Sequence, residues 1–226
     1  MASIPTADAM TGDGDALRRA SLVLRLRSMG VTDHAIVSAF EATPREVFTP
    51  ADYAVDAYAD RLVPIACGQT MEAPSLLAML LNALAVTKEQ TVLEIGTGSG
   101  YLTALLAGLS RRVISLERYR GLAETARATL SLGGTANAEV ILADGLAGWT
   151  AAGPYQSILV TGSVPNLPQG WLDQLAPNGK LIAPIGPASG PQAWVLFTKQ
   201  ADGATDQAVL GTAFAIPLEP GIARAL

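Results

Sequence analysis

The run from Val92 to Tyr101 constrains this chain more than any other part of it. Val92-Leu93-Glu94-Ile95 is an apolar stretch of strand length, Gly96-Thr97-Gly98-Ser99-Gly100 is a glycine-rich turn, and an apolar helical run opens at Tyr101. A buried strand that feeds a helix through such a turn is the opening unit of an open α/β sheet, where glycines let the backbone approach a ligand at the carboxyl edge. The spacing is G-x-G-x-G, and the position where a dinucleotide fingerprint wants its last glycine holds Tyr101. No Gly-Lys-Ser or Gly-Lys-Thr follows, which excludes a P-loop.

The alternation continues downstream. RVISLE ends at Glu117, a helical pattern runs through Leu122, Ala126 and Leu130, and EVILAD ends at Asp144. YQSILVTG supplies a fourth strand and GKLIAPIG a fifth, after a short helix around Trp171 to Leu175. Strands separated by helices imply right-handed crossovers and a parallel sheet. AWVLFTK and AVLGTAFAIPL, joined by the polar turn Ala201 to Asp206, read as a terminal antiparallel hairpin.

Upstream, apolar positions Leu17, Leu22, Leu24, Leu26 and Met29 fit a helix from Asp15 to Gly30, and Thr32 is placed to cap a second helix through Ile36, Val37 and Phe40. Pro44, Pro50 and Pro64 punctuate a loop-rich connector, and Ala73 to Val86 reads as a buried helix with Pro74 in its first turn. The chain is expected to divide into a flexible arm, 1–14, and one domain, 15–226, in which 15–86 carries helices and substrate-side loops and 87–226 the core. The arm could float or strap across the site.

Composition narrows the chemistry. With 226 residues, half of them hydrophobic, the chain can bury a sizeable core. A formal charge of -5 with scattered Lys and Arg argues against nucleic acid as a partner. One cysteine, Cys67, and one histidine, His34, leave no disulfide within the chain and no Cys- or His-based metal cluster, so no metal is expected. Cys67 reads as a small filler and His34 as a solvated or capping residue. No stretch has the length of a membrane span and the N-terminus lacks a secretory h-region, which reads as a cytoplasmic protein. Oligomeric state stays open, because an apolar surface helix and an apolar core helix have the same pattern.

Three carboxyl-edge features read as a nucleoside pocket. The glycine turn is the first. Glu117, ending the next strand, can accept both hydroxyls of a ribose, and Asp144 can accept from an adenine amino group beside the thin wall of Gly145. Taken singly, they could be a bare turn, a solvated charge beside Arg118 and an ordinary strand end.

Read in order, Thr43-Pro44-Arg45-Glu46-Val47-Phe48, Tyr58-Ala59-Asp60, Leu62-Val63-Pro64-Ile65, Gly68-Gln69-Thr70, Leu93 to Leu106, Asp144-Gly145 with Gly148-Trp149, and Leu175 to Gly186 resemble the protein-L-isoaspartate O-methyltransferases over nearly the whole chain. The resemblance implies a Rossmann-like seven-stranded S-adenosylmethionine methyltransferase sheet. It implies transfer of a methyl group to the free α-carboxylate of L-isoaspartyl residues in damaged proteins, the start of their repair through a succinimide. By the same resemblance Glu94, Gly96, Thr97, Gly98, Ser99 and Gly100 hold the methionine part and sulfonium, Glu117 the ribose, and Asp144 and Gly145 the adenine. Gln69 and Thr70 close over cofactor and substrate.

The chain departs from the family where G-Q-T-I-S becomes Gly68-Gln69-Thr70-Met71-Glu72, so the serine given a substrate-orienting role is Glu72. Gln156 stands for the usual aspartate of A-P-Y-D, and V-P-L is kept loosely as Ile216-Pro217-Leu218. Thr70 and Glu72 are therefore the catalytic candidates. In one version Thr70 and backbone amides orient the carboxylate and Glu72 replaces a dispensable hydroxyl. In another Glu72 is a general base for a hydroxyl or amine acceptor, and in a third the protein binds the cofactor without transferring from it.

Overall fold

The computed structural model describes residues 7–223. It opens with helices α1 (Ala7–Ser28) and α2 (His34–Ala42), which pack their apolar faces, including Leu22, Leu26, Ile36 and Phe40, into the core. The start of α1 corrects the expected arm. Residues 7–14 continue the helix, because Ala7, Ala9 and Met10 are helix formers that outweigh Gly12 and Gly14, while residues 1–6 lie outside the described residues. The cap of α2 is Asp33 rather than Thr32: its carboxylate accepts from the N–H groups of Ala35 and Ile36. His34 is the first residue of that helix, with Ser38 Oγ 3.4 Å from its Nδ1.

The proline-rich connector forms 3-10 turns at Arg45–Phe48 and Ala51–Asp56, then a two-stranded antiparallel ladder of β1 (Val63–Pro64) and β2 (Thr70–Met71). Helix α3 (Pro74–Leu84) follows and is buried along Leu77, Leu80, Leu81 and Leu84.

The core is β3 (Thr91–Ile95), α4 (Tyr101–Leu109), β4 (Arg112–Glu117), α5 (Arg120–Leu132), β5 (Ala138–Leu142), β6 (Tyr155–Val160), α6 (Gln169–Asp173), β7 (Leu175–Ile185), β8 (Gln192–Lys199) and β9 (Thr205–Ala213). Its seven strands run in the order β5-β4-β3-β6-β7-β8-β9. Pairing is parallel from β5 to β7 and antiparallel for β7 with β8 and β8 with β9. The expected sheet and terminal hairpin are both present.

Side-chain alternation sends Val92, Val113, Val140 and Leu159 toward the packed helices and Leu93, Ile95, Ile114, Leu116 and Ile158 to the opposite face, where Trp171 of α6 covers them. Burial on both faces explains why these strands read as continuous apolar runs. The register pairs Ile95 with Leu116 and Glu117 with Leu142, so the carboxyl ends of β3, β4 and β5 form one edge. At β3 the order reverses, with β4 on one side and β6 on the other, and a crevice opens at that switch point.

Candidate active site

A cleft with a cavity volume of about 240 Å³ lies over this edge. Its floor is Ile95 with the turn Gly96–Ser99, one wall is Leu116 to Tyr119, another is Gly145 and Leu146, and the segment Gln69–Glu72, which contains β2, lines one side. Ile216 to Glu219, from the segment after β9, complete the rim.

The turn is shaped by contacts on both sides. Gly96 has φ +99°, and a Cβ there would stand 2.5 Å from Thr161 Oγ1, so a side chain is excluded by conformation and by space. Gly98 donates its N–H to Glu117 Oε2 at 2.9 Å, and Tyr119 donates its own to Oε1 at 2.9 Å. Glu117 therefore closes the turn and also lines the cleft. Burial pushes its pKa up, opposed by the N–H groups of Tyr119, Gly98 and Arg118.

Of the residues picked out from the sequence, Gln69, Thr70, Glu72, Gly96, Thr97, Gly98, Ser99, Glu117 and Gly145 line the cleft. Glu94, Gly100 and Asp144 lie behind that lining. Glu94 is 0% exposed and points, by the alternation of β3, under α4. Its Oε2 accepts from Thr103 Oγ1 at 2.5 Å and Ser115 Oγ at 2.6 Å. Ser115 Oγ in turn lies 2.5 Å from Thr97 Oγ1, so Glu94 supports the turn from beneath. Lacking a cation, it is held neutral: burial raises its pKa to about 8, against the two hydroxyl bonds. Gly100 serves α4 as its left-handed N-cap, where a Cβ would meet Ala126. Asp144 is bound by two backbone N–H groups, with Leu146 donating to Oδ1 at 2.9 Å and Gly221 to Oδ2 at 2.7 Å.

Sequence reasoning missed Arg45 and the C-terminal rim. Arg45 is 0% exposed, lies 4.6 Å from the centroid of the Tyr101 ring, and donates from Nη2 to the main-chain oxygen of Glu72 at 2.6 Å. Burial lowers its pKa, opposed by Tyr101, Glu72 and Asp60. Its Nε and Nη1 have no partner among the described residues. An arginine behind Pro44 in a connector carries no pattern that marks it as buried. The rim is held by Arg118, which donates to Glu219 and, through Nε, to the Gly221 carbonyl at 3.2 Å.

These features fit S-adenosylmethionine. The side-chain-free backbone of Gly96 and Gly98 can accept close approach, Glu117 offers acceptors for vicinal hydroxyls, and Leu116 and Leu146 form apolar walls for a planar base. Among the described residues no group of three or more His, Cys, Asp or Glu could hold a metal ion, and no helix is long and apolar enough to cross a membrane.

The sequence pattern of the protein-L-isoaspartate(D-aspartate) O-methyltransferase family matches residues 17–221. The chain belongs to that family. A protein-L-isoaspartate O-methyltransferase of Bradyrhizobium sp. (strain ORS 278) is 45% identical over 204 residues, covering 90% of this chain and 94% of the relative. Another, from Xanthobacter autotrophicus, is 38% identical over 214 residues, covering 95% and 97%. A solved protein-L-isoaspartate O-methyltransferase superposes with a TM-score of 0.80 at 29% identity, covering 90% of this chain and 67% of that one. A beta-aspartate methyltransferase of Plasmodium falciparum in complex with S-adenosyl-L-homocysteine superposes at 0.74 with 25% identity, covering 88% and 97%. The cleft of this isoaspartyl methyltransferase family member thus stands on the sheet edge where the glycine turn, Glu117 and Gly145 converge.

Proposed function

We propose that this protein transfers a methyl group from S-adenosylmethionine to the free α-carboxylate of L-isoaspartyl residues in damaged proteins. The observation that carries the reading is the convergence, in one cleft, of the Glu117-braced glycine turn with the segment Gln69–Glu72. The partners are isoaspartyl-containing peptides and proteins, and the cytoplasm is the compartment this reading assigns. We read no role on nucleic acid or on a membrane.

When bound, S-adenosylmethionine supplies an electrophilic methyl group on a sulfonium. The acceptor carboxylate, with an ordinary pKa of about 3.5, is ionised at neutral pH, so no side chain has to remove a proton. What the protein contributes is placement. Gly96 to Ser99 and Glu117 orient the donor side, Gly145 keeps the adenine wall thin, and Gln69, Thr70 and Glu72 meet the acceptor across the cleft. Alignment of this kind can supply roughly 7 kcal/mol of the barrier reduction.

Glu72 in the cleft favours one alternative, in which it serves as base for a hydroxyl or amine acceptor. Incubation with labelled S-adenosylmethionine and aged protein separates the readings. A base-labile label with equimolar S-adenosylhomocysteine is the expected result. A base-stable label would favour the alternative, and binding without any S-adenosylhomocysteine would leave a transfer-inactive binder.

A further inference from the structure

Glu72 is a half-buried carboxyl group immediately after β2, lining the cleft. Among the described residues it enters no ion pair. The nearby cation, Arg45, directs its hydrogen bond to the main-chain oxygen of Glu72 and not to the carboxylate. A carboxyl group in that position has two options. Ionised, it would confront the anionic acceptor across a partly desolvated space, at a cost that grows as water leaves. Protonated, it is a strong donor to a carboxylate, because O–H···O⁻ bonds are among the short, charge-assisted class.

We propose that Glu72 binds the substrate in its protonated form, its carboxyl O–H donating to the isoaspartyl α-carboxylate. The inference rests on the isoaspartyl reading and names the group that selects for a carboxylate acceptor. The donor is supplied by a titratable group, so substrate capture carries a pH limit that a hydroxyl donor would not impose.

The surroundings agree with a proton being present near neutrality. Burial raises the pKa of Glu72 to about 7, with Arg45 opposing it. Arg45 faces it from the 3-10 turn at Arg45–Phe48, and Asp60 and Tyr101 act on Arg45 in turn. Across the cleft stand Glu117, Arg118 and Tyr119 from the end of β4 and Glu219 from the C-terminal rim. Arrival of a second carboxylate beside Glu72 strengthens its hold on the proton, since two like charges at one site share a single proton.

The test is the pH dependence of kcat/KM for an L-isoaspartyl peptide from about pH 6 to about pH 9, for the wild type and Glu72→Gln. S-adenosylhomocysteine affinity serves as a control for folding. The wild type should fall about tenfold per pH unit above about 7, whereas Glu72→Gln, whose amide donates at every pH, should give a flat profile. A flat wild-type profile, or the same fall in Glu72→Gln, would overturn the inference and leave the isoaspartyl reading standing. No transfer by either protein at any pH, with S-adenosylhomocysteine still bound, would remove the reading and the inference together. If Glu72→Gln does not fold, calorimetry of wild-type peptide binding at about pH 8 in two buffers of different ionisation heat decides. Uptake of about one proton supports the inference, and none overturns it.

Discussion

The wholly buried guanidinium of Arg45 donates to the main-chain oxygen of Glu72 at 2.6 Å, tying the 3-10 turn Arg45–Phe48 to the segment after β2 that lines the cleft. Arg45 holds the Glu72 pKa below where burial alone would put it. Arg45→Met keeps an apolar stem and removes both the bond and the charge. Glu72 should then keep its proton to higher pH, shifting the descending limb of the kcat/KM profile alkaline, at a stability loss of about 1–3 kcal/mol. A limb unmoved in a folded Arg45→Met protein would show that the two residues do not communicate.

Glu94 ties stability to pH. Its folded pKa of about 8 lies above the ordinary carboxyl value. Its neutral form therefore stabilises the fold fully below the ordinary value, and that contribution is lost as pH rises through about 8. The melting temperature should fall from about pH 5 to about pH 8 and level off above it, by roughly 3 °C for each kcal/mol lost. Glu94→Gln, isosteric and neutral, should flatten this dependence. Parallel Tm curves for the two proteins would contradict the account.

Gly96→Ala would place a methyl group against Thr161 Oγ1 at a residue with φ +99°. Strain and overlap together should cost about 2 kcal/mol or more of stability and weaken S-adenosylhomocysteine binding. Denaturant unfolding and calorimetry read the two losses, and a protein with wild-type values for both would show that the turn is not closely fitted.

Asp144 joins the cleft to the C-terminal rim by accepting from the Gly221 N–H at 2.7 Å. Asp144→Ala should speed hydrogen exchange at the Gly221 amide about tenfold, the loss of one charge-assisted bond. Exchange at Gly221 unchanged from wild type would mean that the rim is held by Arg118 alone.

The strand and helix order was legible because β3 to β7 are apolar runs of strand length cut by glycine turns and amphipathic helices, and each signal is local. Gly96 to Gly98, Glu117 and Gly145 were legible for the same reason: each sits at a strand end, where the register puts it at the cleft. Glu94 belongs to the same segment yet faces the other way, because side chains alternate along a strand and the motif does not say which face meets the ligand. Arg45 and Asp144 depend on partners 27 and 77 residues away, Glu72 and Gly221, and no local pattern reports such contacts. The start of α1 was missed because Gly12 and Gly14 weigh against a helix in any short window.

The central claim is tested most directly by the rate of labelled methyl transfer to an L-isoaspartyl peptide set beside its normal aspartyl twin, at about pH 6.5, where Glu72 holds its proton. The account predicts base-labile methylation of the isoaspartyl peptide and none of the twin. Equal labelling of both peptides, or of neither by a protein that binds S-adenosylhomocysteine, would contradict it.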